Sequence, residues 1–164
     1  MPRVPFEQLP DDARLWVFAA DRDLAPEERD TLLATVDGFL AGWAAHGAPL
    51  TCGRDLRYER FLLVAVDERS AGVSGCSIDA LTRQLRQLES RFGLALLDNG
   101  PVNFREGNAI RRVTRPEFHR LAEAGALSAA IVVFDNTTPT VGAVRAGRWE
   151  TAARNTWIGR TFFR

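Results

Sequence analysis

The residues best suited to chemistry stand in one six-residue run, Ser74-Gly75-Cys76-Ser77-Ile78-Asp79. A glycine turn that leaves a strand and opens a helix presents unpaired backbone amides, which bind anions. The positive end of the helix dipole also lowers the pKa of a thiol placed there. On that geometry Cys76 is a candidate nucleophile or redox thiol, and Ser74, Gly75 and Ser77 are candidates to hold a small anion. His46, in Trp43-Ala44-Ala45-His46-Gly47, is the candidate base, with Asp79 or Asp67 to orient its ring. The plainer reading makes Cys76 a small core residue and Ser74 or Ser77 a helix cap. Asp79 then favours an N-terminal turn, and His46 completes the last turn of the preceding helix.

A second group comprises Arg14, Arg22, Arg57 and Arg60, at element ends beside Trp16 and Tyr58. Arginine next to an aromatic ring can bind a carboxylate or phosphate or stack on a base. Arg22 and Asp67 therefore join the candidate ligand-binding residues. The competing explanation pairs these arginines with Asp21, Asp23, Asp55 and Glu59 as ordinary surface charge. His119 is expected to be exposed.

Composition removes several mechanisms. All 21 basic residues are arginine, so there is no P-loop lysine, Schiff-base lysine or lysine general base. A phosphatase loop needs arginine six residues after its cysteine, and that position is Thr82. The 21 acidic residues balance the basic ones, which gives no global attraction to nucleic acid or anionic membrane. Two cysteines, Cys52 and Cys76, make no disulfide framework, and no zinc-ligand spacing occurs. No cofactor or metal is expected. The apolar runs are too short for a signal peptide or a spanning helix, which points to a cytoplasmic protein without a membrane span.

These residues must be positioned by a small set of elements. Residues 15–20 read as a buried strand. Pro26, the acids Glu27, Glu28 and Asp30, and apolar residues at helical spacing predict a helix over residues 26–46, closing at Gly47. Strands are expected over 49–57 and 60–66, then a small-residue loop, then an amphipathic helix carrying Ile78, Leu81, Leu85, Leu88 and Phe92 to Gly93. Short runs at 94–97, 102–104 and 109–113 suggest a meander. Thr114-Arg115-Pro116-Glu117 is a capping box that opens a short helix, and 130–134 is another apolar strand. After Asn136 the glycines at 142, 147 and 159 deny any long element, yet Trp149, Trp157, Phe162 and Phe163 need burial. Helices and strands do not alternate. The expected fold is therefore one α+β domain over residues 1–164, with a mainly antiparallel or mixed sheet packed against two amphipathic helices plus one short helix.

Several segments together resemble a family of uncharacterised bacterial proteins of about this length that often carry the automatic label "ABC transporter ATPase". The matching pieces are Arg14-Leu15-Trp16, Ala20-Asp21-Arg22, Trp43 through Leu50, Arg60-Phe61, Val66-Asp67-Glu68 and the run from Ser74 to Asp79, with Trp149 and Trp157 as weaker matches. The resemblance implies no established activity, and the ATPase label fails because no Walker A loop is present. Where this chain has Asp98-Asn99-Gly100, the resemblance implies an arginine.

Two functional readings follow. The first is a small-anion or partner-binding domain centred on the turn from Ser74 to Asp79. The second is a thiol-dependent enzyme using Cys76 with His46. The four tryptophans also suit a homo-oligomer or protein-partner interface.

Overall fold

The computed structural model describes residues 3–45, 48–69 and 75–163. After a 3-10 turn at Phe6–Gln8 come β1 (Arg14–Ala19), α1 (Pro26–Ala41), the two-residue strands β2 (Ala44–Ala45) and β3 (Ala48–Pro49), β4 (Thr51–Arg57) and β5 (Phe61–Asp67). Then follow α2 (Gly75–Phe92), β6 (Val102–Glu106), β7 (Ala109–Val113), α3 (Arg115–Glu123), β8 (Val132–Phe134), α4 (Val141–Arg145), β9 (Glu150–Ala152) and α5 (Trp157–Phe162). The fold is α+β, with a three-stranded sheet in the order β1-β5-β4, a four-stranded sheet in the order β7-β6-β8-β9, and antiparallel pairing in both.

The central strand β5 is apolar and buried at six consecutive positions because each face of its sheet has a cover. Leu62, Val64 and Val66 pack with Leu32, Val36 and Leu40 of α1 and Leu81, Leu85 and Leu88 of α2. Phe61, Leu63 and Ala65 point the other way, into a core with Phe6, Phe134, Val141 and Trp149. A third cluster, built on Phe104, Phe118, Val133 and Ile158, fills the far side of the second sheet under α3 and α5.

Local sequence explains most element ends. Glu28 accepts the Ala25 amide at 2.8 Å and both terminal nitrogens of Arg22 at 2.7 Å, which closes the first turn of α1. Thr114 accepts the Glu117 amide at 3.2 Å at the start of α3. The β4–β5 turn carries Tyr58 and Glu59 at φ 58° and 54°, a region that L-residues enter at a cost of about 1–2 kcal/mol each. Tyr58 is held there by its hydroxyl, which donates to Glu150 at 2.6 Å, and by the Arg105 guanidinium 4.4 Å above its ring.

Two expectations are corrected. The first helix ends at Ala41, not at residue 46: the chain turns at Gly42, and Trp43 packs against Phe39 and Trp16 instead of adding a turn. The expectation for His46 falls outside the described residues. Residues 94–97 form no strand. The Leu94 amide donates to the Glu89 carbonyl at 3.3 Å, and the next three go to side-chain carboxylates, Ala95 to Asp21 at 3.1 Å and Leu96 and Leu97 to Glu89 at 2.8 and 3.1 Å. Among the described residues no helix is long and apolar enough to cross a membrane.

Candidate functional site

The two sheets leave a cleft where the 98–101 loop meets the segment after β8. One half, a cavity of about 250 Å³, is lined by Asn99, Val102, Arg115, Asn136, Thr137 and Trp157 among others. The other half, about 310 Å³, runs along β1 past Arg14, Trp16 and Val17. The halves share Asn99, Asn136 and Thr137.

Each of these side chains is fixed by its element. Asp98 accepts the Gly100 amide at 2.9 Å, which bends the loop so that Asn99 stands at its tip. Two arginines hold that loop by its carbonyls: Arg112 donates to Asp98 O and Arg115 to Gly100 O, each at 2.9 Å. Burial pulls the Arg112 guanidinium down from its ordinary value, against the raising effect of Asp98 and Asp21. One of its nitrogens, like the side-chain oxygen of Asn103 opposite it in the β6–β7 pair, is buried without a hydrogen-bond partner. Thr137 donates its amide to Asp135 at 3.1 Å. Asn136 accepts the indole N–H of Trp149 at 2.9 Å, and its own amide nitrogen has no partner among the described residues.

A guanidinium lies over an indole in each half. Arg115 sits 4.8 Å from the Trp157 ring centre, and Arg14 sits 4.6 Å from that of Trp16. Among the described residues the terminal nitrogens of Arg115 have no hydrogen-bond partner, and the acid nearest the Arg14 guanidinium is Glu68, at a loose 3.9 Å. Stacking on an aromatic face holds a guanidinium plane while leaving its edge N–H groups to a ligand. No carboxylate, imidazole or thiol lines either half, so the arrangement can bind and orient an anion but contains no group suited to move a proton near neutral pH.

The residues singled out from sequence are distributed as follows. His46 and Ser74 lie outside the described residues, as do the side chains of Cys76 and Ser77, whose backbone opens α2 together with that of Gly75. Asp79 is exposed, and its carbonyl accepts the Thr82 hydroxyl at 2.8 Å. Asp67 accepts the Arg69 guanidinium at 2.7 Å and the Arg69 amide at 3.0 Å, which together hold its carboxyl below the usual range. Arg22 is engaged with Glu28 and also reaches the Phe92 carbonyl at 3.3 Å. Arg57 pairs with Asp55 and Arg60 with Asp23, both at 3.0 Å. His119 is exposed and pairs with Glu123 at 3.0 Å. Cys52 is buried, with its sulfur 3.6 Å from the Leu40 carbonyl, and burial pushes its thiol up to about 11.

Sequence reasoning named Arg14 and Trp16 as a pair but missed Asn99, Arg115, Asn136 and Thr137 as members of a site. Arg115 read only as part of a helix start, and Asn99 only as a turn residue. Comparison with protein families, curated proteins and solved structures finds no match to this chain.

Proposed function

We propose that the protein is a binding domain that takes a small anion, or the anionic group of a partner, in the cleft between the Arg14–Trp16 and Arg115–Trp157 stacks. The observation that carries this reading is the pair of stacked guanidinium groups facing a space walled by neutral amides and a hydroxyl, with no acidic residue in the lining. A carboxylate or phosphate entering either half meets the edge N–H groups of one guanidinium, Arg14 or Arg115, beside the neutral side chains of Asn99 and Asn136 that both halves share. Apolar walls such as Val102 and Ile158 strengthen those contacts by excluding water.

Trp16 and Trp157 make the cleft its own reporter. Titration with acetate, succinate and inorganic phosphate at low salt should give saturable quenching of tryptophan fluorescence. Arg115→Gln should weaken it by about 10- to 100-fold, as expected when a charge-assisted hydrogen bond of about 1.5–3 kcal/mol is lost. Cys76→Ser should leave it unchanged. Saturable binding that Arg115→Gln leaves unchanged would remove the cleft as the site. No saturable response to any of the three anions would remove the binding reading.

A further inference from the structure

The lining of the cleft contains two cations, one in each half: Arg14 along β1 and Arg115 at the start of α3. The halves form one continuous space, because Asn99, Asn136 and Thr137 wall both of them. The groups that would meet a ligand are accessible. The Arg14 side chain is 46% exposed, Arg115, Asn99 and Thr137 are exposed, and Asn136, Trp16 and Trp157 are half-buried. Arg115 gives its Nε–H to the Gly100 carbonyl at 2.9 Å, which leaves its terminal nitrogens for a ligand. Glu68, 3.9 Å from Arg14, stands outside both linings.

We infer that the ligand is a dicarboxylate with an uncharged spacer, one carboxylate held by Arg14 and the other by Arg115, with the spacer lying across Asn99, Asn136 and Thr137. This rests on the reading of the cleft as an anion site and names the class of anion. A single carboxylate engages one guanidinium and leaves the other half empty. When one end of a dicarboxylate is bound, its second end is held close to the second guanidinium, so the second contact forms within one complex and raises affinity without any new kind of interaction. The charges select carboxylates over phosphates. One guanidinium balances one carboxylate in a bidentate pair, whereas a phosphate monoester carries a charge of about −1.5 to −2 and each half has no second cation to meet it. The spacer is uncharged because the shared wall is two amides and a hydroxyl, and no acid in the lining receives an ammonium group.

The test titrates the full chain at low salt with acetate and with the straight-chain dicarboxylates from malonate to azelate, read by tryptophan fluorescence and by calorimetry. Affinity should pass through a maximum at one chain length and there exceed that of acetate at least tenfold. The monomethyl ester of the best dicarboxylate should fall back to the acetate level, a comparison that needs no protein variant. Arg14→Gln and Arg115→Gln should each remove the advantage over acetate, and an amino group on the spacer should weaken binding. A dicarboxylate that binds no better than its monoester, or that is indifferent to Arg14→Gln, overturns the two-ended inference while Arg115-dependent binding of acetate keeps the anion site. Tighter binding of the alkanediol bisphosphate of matching length overturns the choice of carboxylate. If neither acetate nor any dicarboxylate binds in an Arg115-dependent way, the anion reading itself fails.

Discussion

The indole N–H of Trp149 donates to the side-chain oxygen of Asn136 at 2.9 Å, joining a residue in the core between the sheets to one in the wall of the cleft. Trp149 is 2% exposed, so the bond fixes which end of the Asn136 amide faces the open space. Two substitutions separate its structural and binding roles. Asn136→Leu leaves a buried donor unpaired and should cost about 1–3 kcal/mol in urea unfolding. Asn136→Asp keeps an acceptor for the indole and should hold most of the stability, but it places a negative charge in the anion site. Its affinity for acetate should fall at least tenfold. Equal stability losses in both variants would show that the indole bond does not position Asn136.

The first turn of α1 makes stability depend on pH in a defined window. Hydrogen bonds from Arg22 and from the Ala25 amide lower the Glu28 carboxyl to about 2. A carboxyl depressed in the folded state stabilises it above the unfolded value, and that contribution disappears as pH falls through the folded value. The stability difference between the parent protein and Glu28→Gln should therefore be constant near neutrality, shrink below about pH 4.5 and vanish near pH 2. A difference that stayed constant down to pH 2 would show that the Arg22 pair does not act on folding.

Two glycines in short and long helices should respond oppositely to alanine. Gly38 is exposed within α1, and a methyl group there meets nothing within 4 Å. Gly38→Ala should raise stability by about 0.5–1 kcal/mol through helix propensity alone. Gly159 in α5 lies against the chain before it, where an added methyl would stand 2.3 Å from the Ala153 carbonyl oxygen and 2.6 Å from the Arg154 α-carbon. Gly159→Ala should cost about 1–3 kcal/mol, because backbone rather than a flexible side chain must yield. Thermal unfolding of the two variants checks both signs.

What could be read from sequence was what local chemistry decides. Pro26 with Glu27 and Glu28, the apolar run from Phe61, and Thr114 with Glu117 each announce their element within a few residues, and each is found. The first helix was overextended because Phe39, Leu40 and Trp43 continue helical spacing. Nothing local reveals that Trp43 leaves the helix to pack, tilted, against Trp16, 27 positions earlier. The cleft was illegible for the same reason. Its members come from β1, the 98–101 loop, the start of α3, the turn after β8 and the start of α5. Arginine, asparagine and threonine also serve as caps and turn residues, so their types alone do not mark a site.

A strand whose alternate side chains serve two different cores has no solvent-facing side, and this bears on the chain before it is folded. The six buried residues from Phe61 to Val66 form an uncharged, proline-free stretch of high β propensity, the composition that pairs promiscuously with copies of itself. Arg60 on one side and Asp67 and Glu68 on the other flank it with charges, which oppose stacking of identical segments. Until β1 and β4 take their places beside it, those three flanking charges are what the sequence sets against self-association through β5.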